Sequence, residues 1–177
     1  MDVVVLGKNT LRVKGKNSSI IINPSQSTNK TEADAVLVLN SYEDYSDKKI
    51  EGFRIVIKGS GEYEISGAKI SAIRADERLV AKLDVDGIKI LISNGISLEK
   101  VQDKVDECDI LLINADSDFN HSVVTSFEPS IVLIYGEKSE DVIKSLGKNG
   151  SEKVTKFSTT LEKLPSEKLL QFVTLFF

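Results

Sequence analysis

The sequence is poor in the two residues that most often build metal and redox sites. Among its 177 residues it has one cysteine, Cys108, and one histidine, His121. A single cysteine can form neither an intramolecular disulfide nor a cysteine-based zinc cage. Catalytic zinc usually takes three protein ligands, drawn chiefly from histidine, so a single histidine argues against a zinc centre of the usual kind.

The sequence also lacks long apolar runs and blocks of like charge. No run approaches the roughly 18 apolar residues of a transmembrane helix, and the N-terminal residues lack the basic segment and cleavage site of a signal peptide. The net charge is −4, from 23 basic and 27 acidic residues that are mixed along the chain. An acidic protein without a basic tail should repel a phosphate backbone. We therefore expect a cytoplasmic protein that binds neither nucleic acid nor membrane.

The composition is that of a folded globular protein, with 41% apolar and 28% charged residues. A chain of this length can bury a sizeable core without disulfides or metals. No internal repeat and no long polar linker is visible, so residues 1–177 are predicted to form a single domain.

Short apolar segments bounded by glycine, asparagine and aspartate predict a chain rich in strands. The predicted strands are residues 3–6, 10–14, 19–22, 35–39, 54–57, 62–64, 68–73, 79–85, 88–92, 110–113, 131–134 and 169–177. Helical spacing predicts helices at 97–108, capped by Ser97, at 121–127, and at 139–146, capped by Ser139. Many strands followed by alternating strands and helices predict an α/β (α+β) fold, in which two mixed or mostly antiparallel sheets are covered by a few short helices.

Several segments resemble the metallo-β-lactamase superfamily, near its lactonase-like branch of small zinc-dependent hydrolases. The segments are Val3-Val4-Val5-Leu6-Gly7, Ser19-Ile20-Ile21-Ile22-Asn23-Pro24, Ala33-Asp34-Ala35-Val36-Leu37-Val38-Leu39, Gly59-Ser60-Gly61-Glu62-Tyr63-Glu64, Asp109-Ile110-Leu111-Leu112-Ile113 and Pro129-Ser130-Ile131-Val132-Leu133-Ile134. The resemblance spans nearly the whole chain and implies a four-layer αβ/βα sandwich.

The same resemblance implies a degenerate metal site. In the family a His-x-His-x-Asp-His motif follows the strand that corresponds to residues 35–39, and here Asn40, Tyr42 and Tyr45 stand at histidine positions while Asp44 is retained. The metal-bridging aspartate corresponds to Asn94 or Gly95, and the late histidine falls near Tyr135. The ancestral-site positions are therefore Asn40, Tyr42, Asp44, Tyr45, Asn94 and Tyr135, no catalytic residue is assigned, and no cofactor is expected.

Two functions remain open from the sequence. The first is a non-catalytic binding or interaction module, with Asp44 as a loop cap and the tyrosines plugging the vacated metal cavity or lining a ligand pocket. The second is a metal-dependent hydrolase whose site is completed by a partner chain or built on Asp44 and Asp47, with Asp116 and Asp118 as further carboxylates; only this second function would require zinc.

Three other features of the sequence bear on function. His121 and Cys108 are expected to be a surface residue and a buried small hydrophobe, respectively. The apolar segment 169–177 would be a liability as an open edge strand, so we expect it to be covered within the chain or paired in a homo-oligomer. No protein partner is identified by the sequence.

Overall fold

The computed structural model describes residues 1–40, 44–148, 150–165 and 170–177. The strands are β1 (Asp2–Val5), β2 (Leu11–Lys14), β3 (Ser19–Ile22), β4 (Thr31–Glu32), β5 (Ala35–Leu37), β6 (Ile50–Glu51), β7 (Ile55–Ile57), β8 (Gly61–Ile65), β9 (Ala68–Ala75), β10 (Arg78–Val85), β11 (Ile88–Asn94), β12 (Ile110–Asn114), β13 (Ile131–Tyr135), β14 (Glu152–Val154), β15 (Lys156–Ser158) and β16 (Gln171–Leu175). The helices are α1 (Gly95–Glu99), α2 (Val123–Ser126) and α3 (Ser139–Ser145), and a 3₁₀ turn spans Leu161–Lys163.

Five strands from the first third of the chain and β15 from near its end build a six-stranded sheet with the order β15-β1-β2-β3-β5-β7. Its first four strands pair antiparallel, whereas β3, β5 and β7 run parallel. The parallel strands end at the same edge of the sheet, so the segments that follow β3 and β5 lie side by side.

The second sheet has eight strands in the order β14-β16-β13-β12-β11-β10-β9-β8. Strands β8 to β11 pair antiparallel through tight hairpins, two of which place consecutive residues at positive φ: Ser66 and Gly67 at 50° and 81°, and Asp86 and Gly87 at 56° and 81°. Such turns match the twist of the paired strands. The remaining neighbours, β11-β12-β13-β16-β14, are all parallel.

The core is layered because residues of one strand alternate between the two faces of its sheet. One apolar cluster fills the space between the two large sheets, and a second separates the eight-stranded sheet from the helices. A third covers the outer face of the six-stranded sheet, where β4 and β6 pack. The predicted sandwich of two sheets with a few short helices is confirmed; the outer layer over the six-stranded sheet is formed, in the described residues, by β4, β6 and their flanking loops.

Two sequence predictions need correction. The helix predicted at 97–108 is only α1, which ends at Glu99, and turns follow from Lys100. Its N-cap is Asn94 and not Ser97, since the Asn94 side chain accepts a hydrogen bond from the Ser97 N–H at 3.1 Å. The predicted cap at Ser139 is also wrong, since Lys138 precedes the helix and makes no capping hydrogen bond with its side chain.

The C-terminal strand is covered within the chain. Strand β16 lies between β13 and β14, so both of its edges are paired and the open-edge argument for a homo-oligomer does not apply to it. Strands β14 and β15 were not predicted, because their alternating polar side chains give little hydrophobic signal. No helix in the described part of the chain is long and apolar enough to cross a membrane.

Candidate functional site

The predicted site lies where three parallel strands end. Asn94, Asn114 and Tyr135 are the last residues of β11, β12 and β13 and stand in register with one another. The strand alternation directs all three side chains inward, toward the other sheet, and Tyr135 belongs to the cluster between the sheets. In open α/β sheets ligand sites form beyond such carboxyl ends, so the position is the expected one.

The six-stranded sheet contributes the opposite wall through the segments that follow β3 and β5. Asn23 adopts a left-handed conformation (φ 49°), and its side-chain oxygen accepts a hydrogen bond from the Leu39 N–H at 2.8 Å. Thr10 donates its hydroxyl to the Asn23 carbonyl at 2.8 Å. The Leu79 N–H donates to the Leu39 carbonyl at 2.6 Å, which joins this wall directly to β10.

An ion pair closes the side of the site nearest β10. Arg78 donates from Nη1 to Asp116 Oδ2 at 2.5 Å, and its side chain is 37% exposed against 20% for Asp116. The other carboxylate oxygen accepts from Asn94 Nδ2 at 3.2 Å and from Ser117 Oγ at 2.9 Å. Asp116 is therefore held by three donors, and Asn94 uses both halves of its amide, one for Asp116 and one as the cap of α1.

The two walls meet with almost no space between them. The cavity that they enclose leaves about 10 Å³ for water. It is lined by Asn23, Leu39, Asn40, Arg78, Ser93, Asn94 and Asn114. A water molecule needs roughly 10–15 Å³ of such space, so the cavity has room for one water molecule at most and none for an organic substrate.

The turn between β1 and β2 contacts the residues at the ends of β12 and β13. Asn114 donates from Nδ2 to Asn9 Oδ1 at 3.3 Å, and Lys8 Nζ lies 2.7 Å from Glu137 Oε1 at the surface. Gly136 follows with φ 101°, and a Cβ there would lie 2.4 Å from Asn114 Oδ1. The glycine is thus required both by its backbone conformation and by the approach of the asparagine.

The segment after β5 brings Asn40 into the lining of this cavity but not Asp44 or Tyr45. Asp44 is exposed, and its carbonyl accepts a hydrogen bond from the Gln26 N–H at 3.0 Å. Tyr45 packs on the outer face of the six-stranded sheet, with its hydroxyl donating to Asp47 at 2.7 Å and Lys58 Nζ 4.3 Å from its ring centroid. The idea that Tyr45 plugs the vacated cavity is therefore wrong, and Tyr42 lies outside the described residues.

The other candidate residues also lie apart from the cavity. Asp118 is exposed and pairs with Lys138 at 3.3 Å, and exposed His121 contacts Ser145 Oγ through Nε2 at 3.1 Å. Cys108 is buried and precedes β12, so it sits at the amino ends of the parallel strands, whereas the cavity is at their carboxyl ends. Burial raises the pKa of its thiol to about 12.

Sequence reasoning missed five residues of the cavity lining, which are Asn23, Leu39, Arg78, Ser93 and Asn114. Asn114 could have been found, because it ends a buried parallel strand in the same way as Asn94. Asn23 was quoted in the opening segments without a role, although an asparagine after a buried strand is a common choice for a left-handed turn. Arg78 gave no signal, since an arginine beside a hairpin usually faces solvent.

The sequence profile of the beta-lactamase superfamily domain family matches residues 2–92, just over half of the chain. The chain belongs to this family. No curated protein matches the sequence.

Solved structures with a similar fold cover most of the chain at low sequence identity. A predicted zinc-dependent hydrolase of the metallo-β-lactamase superfamily from Thermotoga maritima has a TM-score of 0.76 and 16% identity, with 99% of this chain and 100% of that chain covered. A predicted metal-dependent hydrolase from Parabacteroides distasonis has a TM-score of 0.62 and 18% identity over 84% and 89% of the two chains. An isothiocyanate hydrolase from Delia radicum gut bacteria has a TM-score of 0.60 and 10% identity over 90% and 99%. These identities establish the shared fold alone.

The residues of this family member do not fit the zinc that the family implies. The cavity offers amide groups, one hydroxyl and a guanidinium, whereas zinc prefers thiolate, imidazole and carboxylate ligands. Among the residues that the structure describes, the carboxylate beside it is that of Asp116, which is committed to Arg78, whose positive charge would repel a cation. The described residues contain no group of three or more His, Cys, Asp or Glu side chains able to hold a metal ion.

Proposed function

We propose that this family member has lost zinc-dependent hydrolysis and acts as a non-catalytic binding or interaction module. The observation that carries the proposal is the replacement of metal-ligand chemistry by a network of amides and one Arg–Asp pair. The network fills the carboxyl-end site to within about 10 Å³. A hydrolase needs a polarised water or nucleophile beside space for a substrate. The filled cavity at the carboxyl ends of β11 to β13, called here the filled mouth, supplies neither.

The two residue types that a zinc enzyme needs most support the same proposal. The single cysteine lies at the amino ends of the strands, on the far side of the sheet from the site. Strand β12 has five residues, which at about 3.3 Å per residue separates its two ends by roughly 16 Å. The single histidine is exposed and contacts a serine of α3. Neither side chain reaches the filled mouth.

The competing function, a hydrolase with a carboxylate-based site, would need Asp44, Asp47, Asp116 and Asp118 to converge. In the described part of the chain Asp116 contacts Arg78 and Asn94, Asp47 accepts from Tyr45, and Asp118 pairs with Lys138. Each of these three carboxylates has a partner of its own in a different place. This function therefore enters only as the opposite outcome of the test below.

The test is metal content by mass spectrometry on protein purified without chelator, repeated after loading with zinc, manganese and iron followed by dialysis. We expect less than about a tenth of an equivalent of metal in both samples. A site that binds metal tightly in the native state would retain it through dialysis, so a low content would mean that the protein has no such site. Melting temperature should also be the same with excess zinc and with chelator, since a ligand of the native state raises it. The matched variant is Asp116→Asn, which removes the carboxylate that the described residues place at the mouth.

Metal near one equivalent that is lost in Asp116→Asn would overturn the proposal and assign an atypical metal site to the mouth. Metal near one equivalent that persists in this variant would place the metal site elsewhere in the protein. That result would also contradict the proposal, because the protein would still bind a metal. A hydrolase screen on the metal-loaded protein would follow either result.

A further inference from the structure

A row of alternating charges crosses the outer face of the eight-stranded sheet. Glu64 on β8 is paired in register with Lys69 on β9, Lys69 with Asp84 on β10, and Asp84 with Lys89 on β11. Residues directly opposite one another on neighbouring strands point to the same face. The row therefore reads negative, positive, negative, positive across four consecutive strands.

This part of the face is not covered by the rest of the chain. The helices pack farther along, over the cluster that includes Val80 and Leu91. The row instead lines an open concavity of about 480 Å³. Glu64, Lys69 and Lys89 are exposed and Asp84 is half-buried. Among the described residues, whose salt bridges involve other side chains, none of these four forms one.

We propose that this row is an interface with a second copy of the chain. The two copies would be related by a two-fold axis that lies in the interface, parallel to the strands and above the line between β9 and β10. This axis would place β8 of one copy opposite β11 of the other and β9 opposite β10. Each Glu64 would then face a Lys89 and each Lys69 would face an Asp84. The alternating order is self-complementary under this operation, as the interface of a symmetric dimer must be.

The neighbouring row fits the same geometry only in part. It contains Glu62, Ser71, Lys82 and Leu91 on the same four strands, again in register. Leu91 is fully buried in the cluster beneath the helices, so this end of the row cannot face a second copy. The two-fold axis would set Ser71 against Lys82, which brings no like charges together.

The size of the face sets the strength of the dimer. Three strand spacings of about 4.8 Å span roughly 14 Å, and eight residues of β9 at about 3.4 Å extend roughly 27 Å, which gives an upper limit near 400 Å² because the end of β9 at Ile73 and Ala75 lies under the helices. Stable complexes bury about 800 Å² on each partner, so this dimer should be weak. Because its contacts are between exposed charges, it should also dissociate as salt shortens the Debye length.

The experiment is a charge-swap complementation followed by sedimentation velocity over a concentration series. One variant carries Lys69→Glu with Lys89→Glu and is negative along the row, and the other carries Glu64→Lys with Asp84→Lys and is positive. In ~20 mM salt we expect the unmodified chain to self-associate, each variant alone to be monomeric, and the equimolar mixture to form a heterodimer; ~500 mM salt should abolish both associations.

The proposal is overturned if the unmodified chain stays monomeric at low salt. It is also overturned if either variant alone self-associates as strongly as the unmodified chain, or if the equimolar mixture stays monomeric. Circular dichroism and urea unfolding check that the variants fold. If a double variant does not, Lys69→Glu and Asp84→Lys form the minimal pair, since these two positions face each other across the axis. The row is distant from the filled mouth, so the metal measurements and this experiment can fail independently.

Discussion

Removing Arg78 should show how much the ion pair contributes to closing the cavity at the carboxyl ends of β11 to β13. The variant Arg78→Met keeps most of the length of the side chain while deleting the guanidinium that lies 2.5 Å from Asp116. The Asp116 carboxylate, 20% exposed, would retain only Asn94 and Ser117 as donors. A half-buried carboxylate that loses its counter-charge is left with part of its desolvation cost unopposed.

The expected magnitude follows from where this pair lies between two limits. Breaking a buried pair by deleting one partner costs about 3–5 kcal/mol, whereas an exposed pair contributes about 0–1 kcal/mol. Since Arg78 is more than a third exposed, solvent screening moves the value toward the lower limit, and we expect a loss of about 1–2 kcal/mol. For a chain of this size that corresponds to a fall in Tm of roughly 2–8 °C.

The assay is a double-mutant cycle by urea unfolding with Arg78→Met, Asp116→Asn and the double variant. A favourable coupling energy of about 1 kcal/mol is expected, because the two side chains touch and share one network. The control cycle uses Lys8 and Glu137, a fully exposed pair for which we expect no measurable coupling. If the Arg78–Asp116 coupling is no larger than that of the control, the ion pair is a surface contact and the reasoning about the closed mouth is wrong.

Three further predictions concern other buried or half-buried side chains. Tyr135→Ala, which empties the largest fully buried side chain, should destabilise the protein by about 3–5 kcal/mol in urea unfolding, while Tyr135→Phe, which keeps the ring, should cost clearly less. The Cys108 thiol, whose pKa is raised to about 12 by burial, should not react with Ellman's reagent in the native protein at pH ~8 and should react fully in denaturing urea; rapid native labelling would refute its burial. Burial, reinforced by the hydrogen bond to Asp47, raises the pKa of Tyr45 above its ordinary value of 10.0, so its contribution to stability is complete below about pH 10 and is lost as the pH rises beyond it. The free energy of unfolding in urea, measured at pH ~9 and ~11, should therefore fall less between these two pH values for Tyr45→Phe than for the unmodified chain. Equal falls would contradict the raised pKa.

The sheets could be predicted from the sequence because their strands are short, apolar and punctuated by turn residues. Ile88–Asn94 and Ile110–Asn114 are almost continuous apolar runs, as expected of parallel strands buried on both faces. The failures occurred where local and tertiary forces compete. Leu98, Val101 and Cys108 do pack in one cluster at helical spacing, but only the first of them lies in a helix, because the cluster is satisfied equally well by a chain of turns.

The site could be predicted only in part, and the reason is again physical. Asn94 and Tyr135 lie at the ends of β11 and β13, and their correspondence to the family's metal positions stays a prediction from the resemblance. The loop after β5 could not be oriented from sequence, because a half-buried tyrosine packs as well on the outer face of a sheet as in a cavity. The Arg78–Asp116 contact joins residues 38 positions apart in sequence, and no pattern in either segment announces it.

Under the proposed function, the residues at the family's metal positions explain how the fold can persist without a metal. Tyr135, at the position near the late histidine, belongs to the apolar cluster between the sheets and adds to the core. Asn94 lies in the polar lining of the cavity, where hydrogen bonds must compensate for the lost metal. Asn94 compensates in two ways, by capping α1 and by donating to Asp116, so the same residue that cannot bridge metals starts a helix and anchors a carboxylate. Under the proposed function, the loss of catalysis and the retention of the fold therefore have a common cause, since side chains that bind one another across the mouth replace side chains that would have bound a metal.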